Sequence, residues 1–204
     1  MAAGRPRSFC TEKALDSAMQ VFWRKGYEGA SMVELTTAMG INSPSLYAAF
    51  GSKEGLFRQV LDRYDARRQA FMESVLSAPT ARDAAHRFLH GVADFVADTG
   101  GKTPPGCLLL QCGSSCGDDV IPDMVARHRA EKEAALRDRF VRAVAEGDLP
   151  AGSDPAALAC YLITVSHGIA VQAAAGDGPA QLHAVAEIAM ASFPAAKTRE
   201  TISA

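Results

Sequence analysis

Two short helices, each with its own start and stop signal, follow one another between residues 31 and 51. Ser31, with Glu34 three positions later, fits a capping box, in which the hydroxyl and the carboxylate each accept a hydrogen bond from an unpaired backbone N–H. Gly40 ends this first helix, because glycine adopts the left-handed backbone of a tight turn without steric cost. Two short helices joined by such a turn restrict the segment to a helix-turn-helix or a similar helical motif.

The second short helix begins near Pro44 and ends near Phe50. We predict Ser43 as its N-cap and Pro44 as its first helical residue, because proline lacks the N–H that is unpaired at this position in any case. Its N-terminal end carries Ser43, Pro44 and Ser45, followed by Tyr47. Small polar residues at this end of a second helix suit entry into the major groove of DNA.

Helical patterns also dominate the rest of the chain. Leu15, Ala18 and Phe22 recur at three- and four-residue spacings, which indicates one apolar stripe on a helix, and no strand-like alternation of useful length occurs. We therefore predict an all-α fold of about nine helices. They lie near residues 11–26, 31–39, 43–50, 52–78, 80 to the break at 100, 107–112, 118–147, 155–175 and 180–193.

The helix that begins near Ser52 suggests where the domains divide. Its length of about 25 residues exceeds what a small three-helix module needs, so it connects that module to the helices that follow. We predict an N-terminal arm and helix-turn-helix domain over residues 1–52 and a helical domain over 53–194. Residues 195–204 are expected to be a flexible tail.

The composition is that of a folded globular protein. Hydrophobic residues make up 48% and charged residues 22%, with a formal net charge of −2. We expect no membrane segment, because no apolar run approaches the ~20 residues that a spanning helix needs. No secretory signal follows the basic N-terminus, so a cytoplasmic location is expected. The five cysteines are odd in number, which favours reduced thiols over a disulfide framework.

The charge distribution is mildly asymmetric. Residues 1–58 carry seven Lys and Arg against five Asp and Glu, whereas the remainder carries 14 against 18. This direction suits a DNA-facing N-terminal module. Arg5 and Arg7 lie in an N-terminal arm that either reaches a minor groove or serves as a solvated tail.

The N-terminal pattern resembles the tetracycline-repressor (TetR) family of transcriptional regulators. The resemblance covers residues 8–60, and its motifs are Gly26-Tyr27, Ser31 to Leu35, Gly40-Ile41, Ser43 to Tyr47 and Phe50 to Leu56. It implies a DNA-binding repressor that is released from a palindromic operator by a small molecule or by cysteine modification. It also implies that the second domain binds the effector and forms a homodimer.

The resemblance and the residue chemistry together indicate the DNA contacts. The Tyr47 hydroxyl suits a phosphate oxygen, although packing is its alternative role, and Lys53 supplies a cation at the next helix start. No Lys or Arg occurs from Ile41 to Phe50, so thymine-methyl contacts and DNA shape are expected to replace charged base contacts. The complete predicted set is Ser31, Asn42, Ser43, Pro44, Ser45, Tyr47 and Lys53, with Arg5 and Arg7 from the arm.

For the second domain, the resemblance implies an effector pocket and a dimer interface. The candidate pocket residues are Phe71, Phe88, Phe95, Leu109, Phe140 and His167, each of which has core packing as its alternative role. The alanine-rich helices near 155–175 and 180–193 are expected to pair with those of a second copy as a four-helix bundle. Their alternative is an intramolecular core.

Cys107, Cys112 and Cys116 are redox candidates. The stretch from Gly106 to Leu109 resembles one found in a subgroup of the family, some members of which sense electrophiles or oxidants. A helix start after Gly106 would favour the thiolate of Cys107. Buried, inert thiols are one alternative. A metal site that includes His128 is another, which is disfavoured because the C-x2-C spacing of structural zinc sites is missing.

Two functions of other classes compete with a regulator. A thiol-dependent enzyme would act through Cys107, but no HExxH, GxSxG or phosphate-loop motif supports catalysis. A helical interaction protein without DNA would not need the capped pair of short helices. We therefore expect no enzymatic activity, no cofactor and no metal, with double-stranded DNA and an unidentified small molecule as partners.

Overall fold

The computed structural model describes residues 9–97, 103–113 and 120–194. This part of the chain contains nine α-helices and no strand, so the predicted all-α fold is confirmed. The helices are α1 (Thr11–Gly29), α2 (Met32–Met39), α3 (Ser43–Phe50), α4 (Lys53–Leu76), α5 (Ala81–Val96), α6 (Leu108–Gly113), α7 (Val120–Ala145), α8 (Pro155–Ala175) and α9 (Pro179–Ala191). The predictions for Arg5, Arg7, Cys116 and the 195–204 tail lie outside the described residues.

The helices form two compact units that divide the chain differently from the expected boundary after residue 52. The first unit contains the described residues up to Arg68 together with Leu108–Val125, and the second contains the remainder. Most of α4 belongs to the first unit because its aromatic side chains pack on α1. The Phe57 ring lies edge-on to Phe22 at 5.0 Å, and Tyr64 lies edge-on to Trp23 at 5.3 Å.

The apolar stripe of α1 forms the core of the first unit. Ala18, Met19 and Phe22 are at most 1% exposed. The predicted end of this helix at Gly26 is a break within a longer element, where Gly26 has φ 71° and ψ 177°. A positive φ is accessible to glycine at little cost. The break allows the Tyr27 ring to stack on Phe22 at 5.9 Å.

Both turns of the predicted motif are present, with one correction. The Ser31 capping box is formed, and Gly40 ends α2 in the left-handed conformation. The N-cap of α3, however, is Asn42 and not Ser43, since Oδ1 of Asn42 accepts a hydrogen bond from the Ser45 N–H at 2.9 Å. The amide of asparagine reaches a donor three residues on, which moves the helix start one position toward the N-terminus.

The expectation that no segment approaches a membrane-spanning length is wrong for α8. Among the described residues, this one helix is long and apolar enough to cross a membrane by length and composition alone, which is weak evidence for a span. Its apolar character has a structural reason in the second unit, where α8 packs against both α5 and α9. Leu162, Ile163 and Ile169 are at most 3% exposed there.

The N-cap assignment can be tested by stability. Asn42→Ala removes the acceptor of the Ser45 N–H, so we expect the free energy of unfolding to fall by about 1 kcal/mol. Ser43→Ala is the matched control, because the Ser43 side chain is not the cap, and its effect should stay within about 0.5 kcal/mol. Urea unfolding followed by circular dichroism measures both. A larger loss for Ser43→Ala than for Asn42→Ala would contradict the assignment.

Asp16 ties α1 to α4 through a double ion pair. Its carboxylate accepts from Arg63, with Nη2 to Oδ2 at 2.9 Å, and from Arg67, with Nη2 to Oδ1 at 2.5 Å. The Arg63 hydrogen bond is the main cause that lowers the pKa of Asp16 below its usual 3.8, Arg67 adds to it, and burial opposes it. The carboxylate side chain is 37% exposed, so solvent screens the pair.

We expect Asp16→Asn to lower the free energy of unfolding by about 1 kcal/mol at neutral pH. Because the folded pKa is lowered, this contribution is fully present above the unfolded pKa and is lost as the pH falls below about 4. Urea unfolding of the wild type and of Asp16→Asn between pH 7 and pH 3 measures how the difference between their free energies of unfolding narrows. The control is Asp62→Asn, an exposed carboxylate of α4. If the difference in free energy of unfolding between the wild type and Asp16→Asn widened toward low pH, the ion-pair assignment would be contradicted.

Candidate nucleic-acid interface

α3 has one buried face and one accessible N-terminal end. Leu46 is fully buried and Phe50 is 6% exposed, so these two side chains fix the helix in the first unit. Asn42, Ser43 and Pro44 are exposed at its start. The predicted reading residues are therefore accessible on a helix that is held by its opposite face, which is the arrangement that a groove-binding helix needs.

Tyr47 is accessible and not part of the core. It is 51% exposed, and the adjacent Ala48 is also exposed. A half-exposed tyrosine presents its hydroxyl to solvent or to a phosphate while part of its ring stays in contact with the protein. The alanine beside it leaves room for a DNA backbone to approach closely.

An aromatic cluster in the first unit positions the cation of Lys53. Its Nζ lies 4.5 Å from the centroid of the Tyr27 ring. Tyr27 stacks on Phe22 and lies edge-on to Phe57 at 5.2 Å. A cation over an aromatic face gains about 0.5–1 kcal/mol at an exposed site, which is small enough for the amine to exchange that contact for a phosphate.

Ser31 uses its hydroxyl within the protein. Oγ accepts from the Glu34 N–H at 3.2 Å, and the hydroxyl donates to Oε2 of Glu34 at 2.9 Å. The same carboxylate pairs with Lys25. That ion pair, and then the Ser31 hydrogen bonds, lower the pKa of Glu34 from 4.5 to about 2. Ser31 thus has an internal partner, so the predicted DNA contact of Ser31 requires those bonds to rearrange.

α2 carries an exposed apolar residue that was not among the predicted site residues. Val33 is 74% exposed, and Thr37, one turn further along the helix, is also exposed. Leu35 and Met39 occupy the buried side of the same helix. This helical spacing was readable in the sequence, and it assigns Val33 and Thr37 to the outward face of the first helix of the motif.

The predicted pocket residues do not line the cavity found in the second unit. That cavity is shallow, has a volume of about 480 Å³, and is lined by Ser153, Asp154, Ala157, Leu158, Tyr161, Ser192 and Pro194. Phe88 and Phe140 are at most 3% exposed. Phe88 stacks with Phe71 at 6.4 Å. Phe95 and His167 are partly buried in the same unit, whereas Leu109 is buried in the first unit.

His167, which was predicted to line the effector pocket, lies close to charged residues of α7. Burial is the main cause that lowers its pKa below 6.5, and the nearby cations Arg129 and Lys132 lower it further. Glu133 acts in the opposite direction. The half-buried imidazole is therefore held toward its neutral form, in which one ring nitrogen donates and the other accepts.

The redox candidates differ in their surroundings. Cys107 is partly buried, and Cys112 is fully buried with its Sγ 3.6 Å from the Phe22 carbonyl. The four cysteines in the described part of the chain form no disulfide with one another, and Cys10 and Cys160 are exposed. The helix after Cys107 has only six residues. Its dipole is therefore smaller than the prediction of a redox-active Cys107 required.

Similarity to known proteins covers the N-terminal helices and also nearly the whole chain. Residues 14–60, which include the α2–α3 pair, match the family described as bacterial regulatory proteins, tetR family. Over 196 residues the chain is 34% identical to the HTH-type transcriptional repressor ComR of Escherichia coli K12, covering 94% of this chain and 92% of that protein. It is 30% identical to the repressor BdcR of the same strain, with 91% and 90% covered.

The fold is also similar to a solved structure of the TetR family transcriptional regulator CifR. That structure is a cysteine mutant in complex with 26-base-pair double-strand operator DNA. The TM-score is 0.88 at 39% sequence identity, with 93% of this chain and 100% of that chain covered. The similarity thus extends well beyond the α2–α3 pair to both units, and the chain belongs to the TetR family of bacterial transcriptional regulators.

Proposed function

We propose that this chain is a transcriptional repressor that binds a palindromic operator in the bacterial cytoplasm as a homodimer. The observation that carries the proposal is the exposed N-terminal end of α3, fixed from behind by Leu46 and Phe50. The CifR complex with operator DNA supports it, because that regulator shares 39% of its sequence with this chain. Membership in a family of regulators favours this function over a thiol-dependent enzyme or an interaction protein.

In the proposed complex, the start of α3 enters the major groove and its flanks contact phosphates. Oδ1 of Asn42 is occupied by the Ser45 N–H, so its two amide hydrogens remain for DNA. The Ser43 hydroxyl is exposed beside them. Tyr47 donates its hydroxyl to a phosphate, and Lys53 exchanges the Tyr27 ring for a phosphate oxygen.

Exposed apolar residues on the second unit support the dimer. Val171 of α8 is 58% exposed, and Val185 and Ile188 of α9 are 42% and 73% exposed. The same two helices bury their other faces in the core of that unit. Apolar side chains of this size on neighbouring helices suit a four-helix bundle with a second copy. A two-fold dimer would match the two halves of a palindrome.

The DNA contacts can be tested with duplexes selected from the regions upstream of this gene and its neighbours. Tyr47→Phe removes one hydroxyl, so we expect a roughly 3- to 10-fold loss of affinity per subunit with an unchanged salt slope. Lys53→Ala removes a phosphate-neutralising charge, so the slope of log K against log salt should fall by about 0.9 per subunit. Fluorescence anisotropy across a salt series measures both quantities.

Arg137→Ala is the charge-matched control, because Arg137 is an exposed cation of the second unit. It should leave both the affinity and the slope close to wild type. Unchanged binding by the Tyr47→Phe, Lys53→Ala double variant would refute the contact assignment. If no fragment bound at low salt, the DNA-binding function itself would be refuted.

We further propose that modification of Cys107 by an electrophile releases the operator. The thiolate sulfur would add to the carbon–carbon double bond of an unsaturated electrophile such as a maleimide. The π bond would break, and the adjacent carbon would take up a proton from solvent, which replaces the proton released by the thiol. Gly106, next to it, has little free space: its N–H donates to the Val96 carbonyl at 2.8 Å, and a Cβ placed on it would lie 2.9 Å from Cβ of Ala174. An adduct on the partly buried Cys107 would therefore displace this segment.

The chain connects that displacement to the first unit. α6 begins at the residue after Cys107 and packs against α1 within that unit. A shift at Cys107 would thus pull on a helix that contacts the helix preceding the α2–α3 pair. The solved CifR structures that this chain resembles are of cysteine mutants in complex with operator DNA.

We expect N-ethylmaleimide to release the operator from the wild type but not from Cys107→Ser. All variants are compared in a Cys10→Ser, Cys160→Ser background, because those two exposed thiols would otherwise also react. Cys112→Ser is the matched control and should respond as the wild type does, since Cys112 is fully buried. Anisotropy measures release and mass spectrometry locates the adduct. Equal release from Cys107→Ser would eliminate Cys107 as the sensor.

A further inference from the structure

Three histidines and two carboxylates lie together on α5 and α9 of the second unit. α5 contributes His86, His90 and Asp94, each one turn after the previous one, and α9 contributes His183 and Glu187 with the same spacing. Residues four apart share a helix face, so each helix presents its set on one side. The two sets meet because α5 packs against α9.

Four of these side chains form a row of close polar contacts. Oδ1 of Asp94 lies 2.9 Å from Nε2 of His183, and Nδ1 of His183 lies 2.8 Å from Nδ1 of His90. The remaining nitrogen of His90, Nε2, lies 3.3 Å from Oε1 of Glu187. This row of contacts therefore has a carboxylate at each end and two imidazoles between them.

This row of contacts needs one proton or cation more than two neutral imidazoles supply. It has three contacts, and two neutral imidazoles carry only two N–H groups. If His183 donates to Asp94 and His90 donates to His183, Nε2 of His90 is left with a lone pair facing the Glu187 carboxylate. Nε2 of His90 is buried, and it makes no hydrogen bond within the described part of the chain. A cation between that nitrogen and the carboxylate would remove the repulsion.

His86 lies at the Glu187 end of this row of contacts. Its ring stacks with His90 at a centroid distance of 4.2 Å. The potential ligand atoms of His86, His90 and Glu187 all lie within 4.8 Å of one another. Ligands bound at about 2.0–2.1 Å in a tetrahedral zinc site are separated by about 3.3 Å, which is the distance between His90 and Glu187.

We propose that His86, His90 and Glu187 form a site for one divalent transition-metal ion of the zinc class. Two imidazole nitrogens and one carboxylate oxygen suit Zn²⁺, Co²⁺, Ni²⁺ or Cu²⁺, whereas Mg²⁺ and Ca²⁺ prefer oxygen ligands alone. His183 and Asp94 are positioning residues. His183 accepts the N–H of His90 and donates its own N–H to Asp94. This fixes the ring and the tautomer of His90 as carboxylate–histidine pairs do in other metal sites.

The proposed ion would cross-link α5 and α9. His86 and Glu187 are exposed and His90 is partly buried, so the ion has access from solvent and a fourth coordination position remains open. The site does not depend on the DNA-binding proposal, because its ligands are all in the second unit.

The test is Zn²⁺ binding by the full chain after removal of metal with a chelator. We expect one ion per chain, measured by competition with a chromophoric chelator, and a rise in Tm of about 5–10 °C at a hundredfold excess over Kd. Co²⁺ should give the visible absorption of a nitrogen- and oxygen-ligated ion. Glu187→Gln and His86→Gln, both at exposed positions, should weaken binding more than 10-fold without lowering the Tm of the metal-free protein.

His183→Gln should weaken Zn²⁺ binding by about 10- to 100-fold while the stoichiometry stays at one, as expected for a positioning residue. Glu131→Gln, at an exposed position of α7, is the matched control and should bind as the wild type does. Equal affinity in the wild type and Glu187→Gln would overturn the proposal. It would also be overturned if alkylation of the cysteines abolished binding, since the ligands would then be thiolates.

Discussion

The packing of Phe22 of α1 against Phe57 of α4 is the contact on which the proposed DNA-facing surface depends. Both rings are fully buried. Tyr27 lies against both of them, and it does so because Gly26 breaks α1 just before it. The Lys53 cation then lies over Tyr27. A surface charge is thus positioned by a buried aromatic contact, so a change in that core would move the cation even where no surface residue is altered.

The helices were predictable because their signals are local. The capping box at Ser31, the left-handed Gly40 and the apolar stripe of α1 each involve residues within one or two turns, and each was correctly read. The N-cap of α3 was wrongly predicted at Ser43 and lies at Asn42, because serine and asparagine are both good caps and they occur side by side. Propensity does not decide between them; the approach of the Asn42 amide to the Ser45 N–H does.

Features that depend on distant residues were not predictable in the same way. His90 and His183 contact each other across 93 positions, and nothing in either local sequence indicates the other. The effector pocket stays a prediction for a related reason: large aromatic side chains such as Phe140, which is fully buried, fill a core as readily as they line a cavity. The membrane-like composition of α8 likewise reflects its packing partners, which the sequence of one helix does not identify.

α3 carries no charge, so in the proposed complex attraction to DNA and discrimination between sequences are carried by different groups. Lys53 attracts any phosphate, and salt screens that attraction for every DNA alike. Ser43, Pro44 and Ala48 make short-range contacts that differ between bases only when the helix is seated closely. Small side chains tolerate little misplacement, since they cannot extend to recover a lost contact. The groups that orient α3, which are Leu46, Phe50 and the Asn42 cap, then determine specificity as much as the side chains that face the groove.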